Sequence, residues 1–377
     1  SYSMNTVGQR LSTLNNTTDS AWRSAMSRFM PTGSVKRMLI ILALGFAFFA
    51  ILKPGIFLNP VNMQNIALSS PEIGVLAIAM MLAMATGGID LSIVAIANLS
   101  AITMSTMYTS MAATNQAQAD SMMPVIVLVG IGVGILAGFI NSVLISGVGI
   151  TPILATLGTM QIFNGVAVAW TGGKTLYGAP TGLTTFGTST AAGVPLLFVV
   201  FVIVAIAVGL VMSRTKMGVQ ILLQGANPVA ARYSGISMRS VLTSTYVMTG
   251  ALAGIAGVLF LARNPTASAD YGASYVLLTI VIAVLGGTNP NGGFATVFGV
   301  VLATLTLQVV SSGFTALRMT PYDYSMAQGI ILIGVMVIDQ IKWKLPSIKK
   351  REAGPHKLAS QDTTSEAPAS HDPAAHK

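Results

Sequence analysis

The chain has 377 residues, of which 53% are hydrophobic and only 8% charged. Soluble domains usually carry about 25% charged residues, so a water-facing polar surface around so apolar a chain is excluded. Cysteine is absent, which removes disulfides and thiolate metal sites. The histidines His356, His371 and His376 all fall in the polar C-terminal tail, so an imidazole base or ligand inside an apolar segment is not expected. No cofactor is expected from the residues present. The net charge of +9 fits basic loops on one membrane face better than a nucleic-acid partner.

Apolar blocks of about 20 residues, the length that spans a bilayer as helix, recur along the chain. They predict an all-α polytopic membrane protein of about ten transmembrane helices, with glycine-broken segments. Residues 1–34 precede the first block. There Trp22, Met26, Phe29 and Met30 share one helical face, as in a short helix lying in the headgroup region, and the layout of a cleavable signal peptide is missing. A transmembrane domain is expected over 35–345. Its segments are 35–52, 66–86, 91–110, 124–147, 150–170, 194–213, 240–262, 274–287, 293–312 and 325–343. Residues 346–377 are too polar to form a core and are expected to be disordered. With both ends cytoplasmic, sixteen of the 20 Lys and Arg residues fall on the inner side, leaving Lys53, Lys174, Arg263 and Arg318 outside.

GVLAIAMMLAMATGGIDLSIVAIANLSAI (74–102) and YVLLTIVIAVLGGTNPNGGFATVFGVVLATL (275–305) share one plan: an apolar approach, a Gly-Gly pair, polar residues and a second apolar helix. Pairing Gly87-Gly88 with Gly286-Gly287 makes segments one to four and seven to ten a parallel repeat offset by 199 residues, as in several transporter folds. Glycine weakens a helix in lipid unless protein or water covers the freed backbone. Segments two and eight end at such breaks and are therefore candidates for short or re-entrant helices.

Two readings of Asp90 remain open. It caps the third segment at a tight cytoplasmic turn, or it shapes the inner mouth of a translocation pathway. Glu72, just after Pro71, is expected to favour the start of segment two near the outer interface, with a proton relay as the other reading. Asp339 and Lys342 are spaced for an ion pair. Gly130, Gly134 and Gly138, with Gly250, Gly254 and Gly257, suit close helix packing.

The loop 214–239, SRTKMGVQILLQGANPVAARYSGISMRSV with its flanks, reads as a short amphipathic helix that glycines re-aim at each end. Its QGANPVAARYSGI stretch resembles the cytoplasmic coupling loop of permease subunits of bacterial ABC sugar importers of the ribose and galactose type. Gly225, Asn227, Ala230, Ala231, Gly235 and Ile236 occupy the motif positions. TGGIDLS (86–92) and GFINSVLISGVGITPILATLGTM (138–160) are similar to further elements of that family, as are LGGTNPNGG and TPYDYSMAQGIILIGVMVIDQIK, over roughly residues 40–345. Ser142 and Tyr322-Asp323-Tyr324 depart from its usual pattern. The resemblance implies a permease homodimer in a bacterial inner membrane, an ABC ATPase partner on the cytoplasmic side, and a periplasmic sugar-binding protein outside. ATP hydrolysis would then belong to the separate ATPase, and a monosaccharide or related polyol would be the cargo.

A path for such a neutral solute draws on Gly87, Gly88, Asp90, Ser92, Asn98, Asn141, Thr156, Gln161, Asn164, Asn289 and Gln308, with interhelical hydrogen bonding as the competing role. TGGKT (171–175) is not a phosphate loop, because Val168 stands where the pattern needs glycine. The alternative function is a proton-coupled secondary transporter of a small neutral solute, working through Glu72 or Asp90.

Overall fold

The computed structural model describes residues 32–344. The interfacial helix expected around Trp22 and the tail 346–377 lie outside the described residues, as do the side chains of the Asp339–Lys342 pair. In chain order the elements begin with α1 Thr32–Leu52, α2 Pro54–Phe57, α3 Pro60–Ala85, α4 Ile93–Ala112, α5 Gln116–Ser121 and α6 Met123–Ser142. A π-helical turn, Val143–Val148, extends α6. Next come α7 Pro152–Thr171, β1 Leu176–Tyr177, α8 Thr181–Thr188, β2 Thr190–Ala191, β3 Val194–Pro195 and α9 Leu196–Arg214. The loop helices α10 Lys216–Ala226 and α11 Pro228–Tyr233 lead into α12 Met238–Arg263. Finally there are β4 Thr266–Ala267, α13 Tyr275–Leu285, α14 Val297–Ala316 and α15 Pro321–Lys344. One compact unit ends at Val335, and a second begins at Met336.

A helix occupies each of the ten expected segments. Among the described residues, eight helices are long and apolar enough to cross a membrane. The two others fall short for different reasons. The 20 residues of α4 are diluted by Asn98, Ser100, Thr103 and Ser105. The 11 residues of α13 reach about 16 Å at 1.5 Å per residue, half the thickness of a bilayer core.

Helix α3 starts earlier than its apolar run suggests. The Asn59 side chain accepts from the Val61 N–H at 3.0 Å, with Pro60 in the first turn. Pro71 therefore lies inside the helix, and Glu72 is midway along it rather than at its start. From Ser70 to Ala85 every residue of α3 is buried, enclosed by α9, α12, α13 and α14. It is the central strut.

Helices α6 and α12 touch backbone to backbone. A Cβ on Gly134 would collide with the Gly250 carbonyl, and one on Gly138 with that of Tyr246. Ser100 on α4 completes this layer by donating to the Gly130 carbonyl at 2.7 Å. The small residues serve close packing, as their spacing predicts.

The two breaks close with the same turn. Gly87 N–H donates to Met84 and Gly88 N–H to Ala83, at 2.9 and 3.1 Å; Gly287 N–H donates to Val284 and Thr288 N–H to Ala283, both at 3.0 Å. These are paired helix-ending bonds, with Gly87 at φ +86° and Gly287 at φ +101° in the left-handed position that favours glycine. The structural offset is thus 200 residues, one more than the Gly-Gly doublets indicate. Within each turn only the left-handed residue needs glycine for its backbone angle, and at this offset Gly88 corresponds to Thr288 and Gly286 to Thr86. The repeat also shows in packing: α1 lies along α14 as α12 lies along α4.

Candidate coupling and translocation site

The first break leads into a buried polar network. Asp90 is fully buried. One carboxylate oxygen accepts from the Ser92 N–H at 3.0 Å and the Ser92 hydroxyl at 2.6 Å, and the other from the Thr249 hydroxyl at 2.8 Å. Asn141 on α6 donates to the Ser92 hydroxyl at 2.8 Å, and Thr159 on α7 donates to Asn141 at 2.6 Å. The Thr156 hydroxyl lies 3.1 Å from both the Leu91 N–H and the Ile89 carbonyl. Four parts of the chain are tied together here: the break, α6, α7 and α12.

The capping reading of Asp90 holds in part: the carboxylate accepts from the Ser92 N–H just before α4, but it is buried and also reaches across to α12. The N-cap of α4 is Ser92, which makes no side-chain cap. Thr249, the partner of Asp90, is near the middle of α12, so the first break, exposed at Gly87, runs inward to a buried carboxylate. The carboxylate is a tie between elements, placed just before a helix N-terminus that favours its charge.

Glu72 also changes role. It is fully buried, pairs with Arg263 at 2.9 Å, and accepts from the Tyr271 hydroxyl at 2.8 Å. Arg263 ends α12, and Tyr271 belongs to the chain before α13. Burial first, and then the Glu72 carboxylate, push the Tyr271 phenol above its ordinary pKa and keep it a donor. Breaking one side of such a buried pair costs roughly 3–5 kcal/mol. Asn98 holds the same stretch before α13, donating to the carbonyls of Ala269 and Tyr271 at 3.2 and 2.9 Å.

The candidate path residues therefore separate. Gly88, Asp90, Ser92, Asn141 and Thr156 are buried within the first-break network, and Asn98 is buried against the stretch before α13. Gln161 and Asn164 are exposed on α7, on the side away from its buried residues Ala155, Thr159, Phe163 and Ala167. Gly87 and Asn289 are exposed at the two turns, and Gln308 is half-buried on α14. Sequence reasoning missed Thr249, Thr159 as a network member, and the Arg263–Tyr271 pairing with Glu72. The partners Asp90–Thr249 and Glu72–Arg263 are 159 and 191 residues apart, and no local pattern signals them.

Loop 214–239 forms two helices rather than one. Thr215 caps α10 and Asn227 caps α11, the latter accepting from the Ala230 N–H at 3.0 Å. At the far end the Gly235 N–H donates to Arg232 and the Ile236 N–H to Ala231, at 3.1 and 3.0 Å, with Gly235 at φ +80°. Asn227, Ala231, Gly235 and Ile236 thus start and stop one six-residue helix. Ala231 is buried, Ala230 is exposed, and Val229 and Tyr233 are 64% and 89% exposed. Gly225 does not re-aim the chain. It lies inside α10, where the lack of a side chain lets the helix meet the Ala85 carbonyl.

A protein family described as "Branched-chain amino acid transport system / permease component" matches residues 62–336. The chain belongs to this permease family. It is 32% identical over 271 residues to the autoinducer 2 import system permease protein LsrD of Salmonella typhi, covering 70% of this chain and 79% of the relative. Identity to the protein of the same name from Yersinia enterocolitica is 34% over 272 residues, with the same coverage. No solved structure matches. The permease is accordingly a component of a transport system and a multi-pass membrane protein. The matched stretch contains every residue of loop 214–239 and of the candidate path.

Proposed function

We propose that this permease is the membrane-spanning subunit of an ATP-driven importer that moves a monosaccharide or related polyol across a bacterial inner membrane. The observation that carries the reading is α11, a helix capped at both ends whose Val229 and Tyr233 project uncovered. Apolar side chains on a self-contained helix suit a groove on a separate ATPase. The side bearing Arg214, Lys216, Arg232 and Arg239 would then be cytoplasmic, with both termini on it. Gln161 and Asn164 support the path: amides facing outward from a membrane helix need protein or water beside them. We place them where a second copy of the chain completes the channel, opposite the α7 of its partner. Uncharged amides suit a neutral polyhydroxylated solute, delivered by a periplasmic binding protein.

The test is Tyr233→Ala together with Val229→Glu in the full chain co-expressed with its ATPase. Both positions are exposed, so membrane abundance should stay within about twofold while ATPase co-purification and uptake fall at least tenfold. Ala231→Glu is a harsher variant, since it buries a charge inside the loop. Undiminished ATPase association in the exposed variants would overturn the docking assignment.

A proton-coupled transporter is the second reading, favoured by two buried carboxylates, Glu72 within α3 and Asp90 in the first break. Vesicles holding the permease alone distinguish it. Uphill uptake driven by a proton gradient, without nucleotide, would establish this reading and end the first.

A further inference from the structure

Gly225 belongs to the coupling loop but lies on its membrane side. A Cβ there would run into the Ala85 carbonyl, the last of α3, and would come within 2.6 Å of the Gly293 nitrogen. Gly293 itself donates its N–H to that Ala85 carbonyl at 3.1 Å. A Cβ on Gly292 would be 2.8 Å from both the Gly225 carbonyl oxygen and the Gly87 nitrogen. A Cβ on Gly293 would be 2.8 Å from Ala226 Cα, and one on Gly87 would be 3.3 Å from the Asn291 carbonyl oxygen. The end of α3, the first break, the end of α10 and the turn after α13 thus meet through backbone atoms. Gly87, Gly292 and Gly293 have φ of +86°, +91° and +91°, so those three positions require glycine for conformation as well as space.

We propose that this glycine junction is the transmission joint of the permease, passing displacement of α10 and α11 into both helix breaks at once. The inference rests on the docking function assigned to α11 and adds a separate role for Gly225, Gly87 and Gly292 as positioning residues. Close-packed contacts transmit strain instead of absorbing it, and backbone contacts have no rotamers to yield. A shift of α10 therefore reaches Ala85 and the Gly87 turn directly. From there it reaches Asp90, whose network ends on α12 through Thr249 and on α7 through Thr159. Helix α7 carries Gln161 and Asn164, so the joint connects the docking loop to the helix assigned to the path.

The experiment is a graded series in the assembled transporter, reconstituted with its ATPase and binding protein. Gly225→Ala meets backbone head-on. Gly87→Ala is sterically milder, with its nearest contact at 3.3 Å, and strains the turn through its φ of +86° instead. Gly132→Ala, with nothing within 4 Å, is the control. The readouts are ATPase co-purification, ATP hydrolysis with and without binding protein, and uptake into vesicles. Gly225→Ala should keep the ATPase bound while uptake drops at least tenfold and hydrolysis loses its response to binding protein. Gly87→Ala should lose about two- to fivefold in uptake, and Gly132→Ala nothing. Should Gly225→Ala fail to insert, Gly87→Ala decides the matter by the same readouts. Uptake within twofold of wild type in the inserted variants overturns the joint. Loss of ATPase binding in Gly225→Ala moves that glycine to the docking face and also overturns it. A wild-type chain that recruits no ATPase refutes the docking reading instead, so the two failures are distinguishable.

Discussion

The two helix breaks make the same turn and do different things with it. Each closes its helix on a left-handed glycine with the same pair of backbone bonds. After Gly87 the chain is packed beneath Pro152 and Tyr246 and delivers Asp90 into a buried network. After Gly287 the turn exposes Asn289, which accepts from the Asn291 N–H at 2.9 Å, before Gly292 and Gly293 pack against α10. One glycine with positive φ fixes the turn. Whether the residues that follow are covered decides what the turn is for, because an exposed amide exchanges one hydrogen bond for another with water while a buried carboxylate cannot.

The largest effect expected from this contrast is at Asp90. Asp90→Ala strands the Ser92 and Thr249 donors inside the protein, at about 3 kcal/mol, and should cut the yield of monodisperse protein in detergent several-fold. Asp90→Asn keeps the shape and should recover part of it. Unchanged abundance with an altered solute preference would place Asp90 in the path and reverse the assignment. Next comes Thr249→Val, which removes one donor and should cost about 1–2 kcal/mol. Combined with Asp90→Asn in a double-mutant cycle, the two effects should fail to add, since the residues share a bond. Additive losses would show that the 2.8 Å contact contributes little. The smallest effect belongs to the second break: Asn289→Ala should stay within about 0.5 kcal/mol of wild type in thermal unfolding. A loss there as large as that of Asp90→Ala would mean the two turns are equally structural.

The helices were legible because a membrane leaves long apolar runs in the sequence. Their edges were less so. Polar residues in PVNMQN hid the first turn of α3, although Asn59 before Pro60 is a start signal in its own right. Pro71 then passed for a helix start, and that displaced Glu72 to the wrong end of its helix. The start and stop of the short helix in loop 214–239 were readable because their bonds are local: Asn227 to Ala230, and Gly235 and Ile236 back to Arg232 and Ala231. Its division into two helices turns on Asn227 ending one and capping the next, which a single amphipathic pattern conceals. The junction at Gly225 was beyond reach, since its contacts come from chain 140 residues before and 68 after.

The glycine-lined contact between α6 and α12 carries a consequence for how the permease moves. Backbones in mutual contact have no side-chain cushion over which to slide, and a shift of even one ångström would drive carbonyls into Cα atoms. The contact therefore couples the two helices as one rigid pair. Relative movement is easier between elements seated on side chains, such as α7, which packs along α4 and meets α6 through the Thr159 hydroxyl.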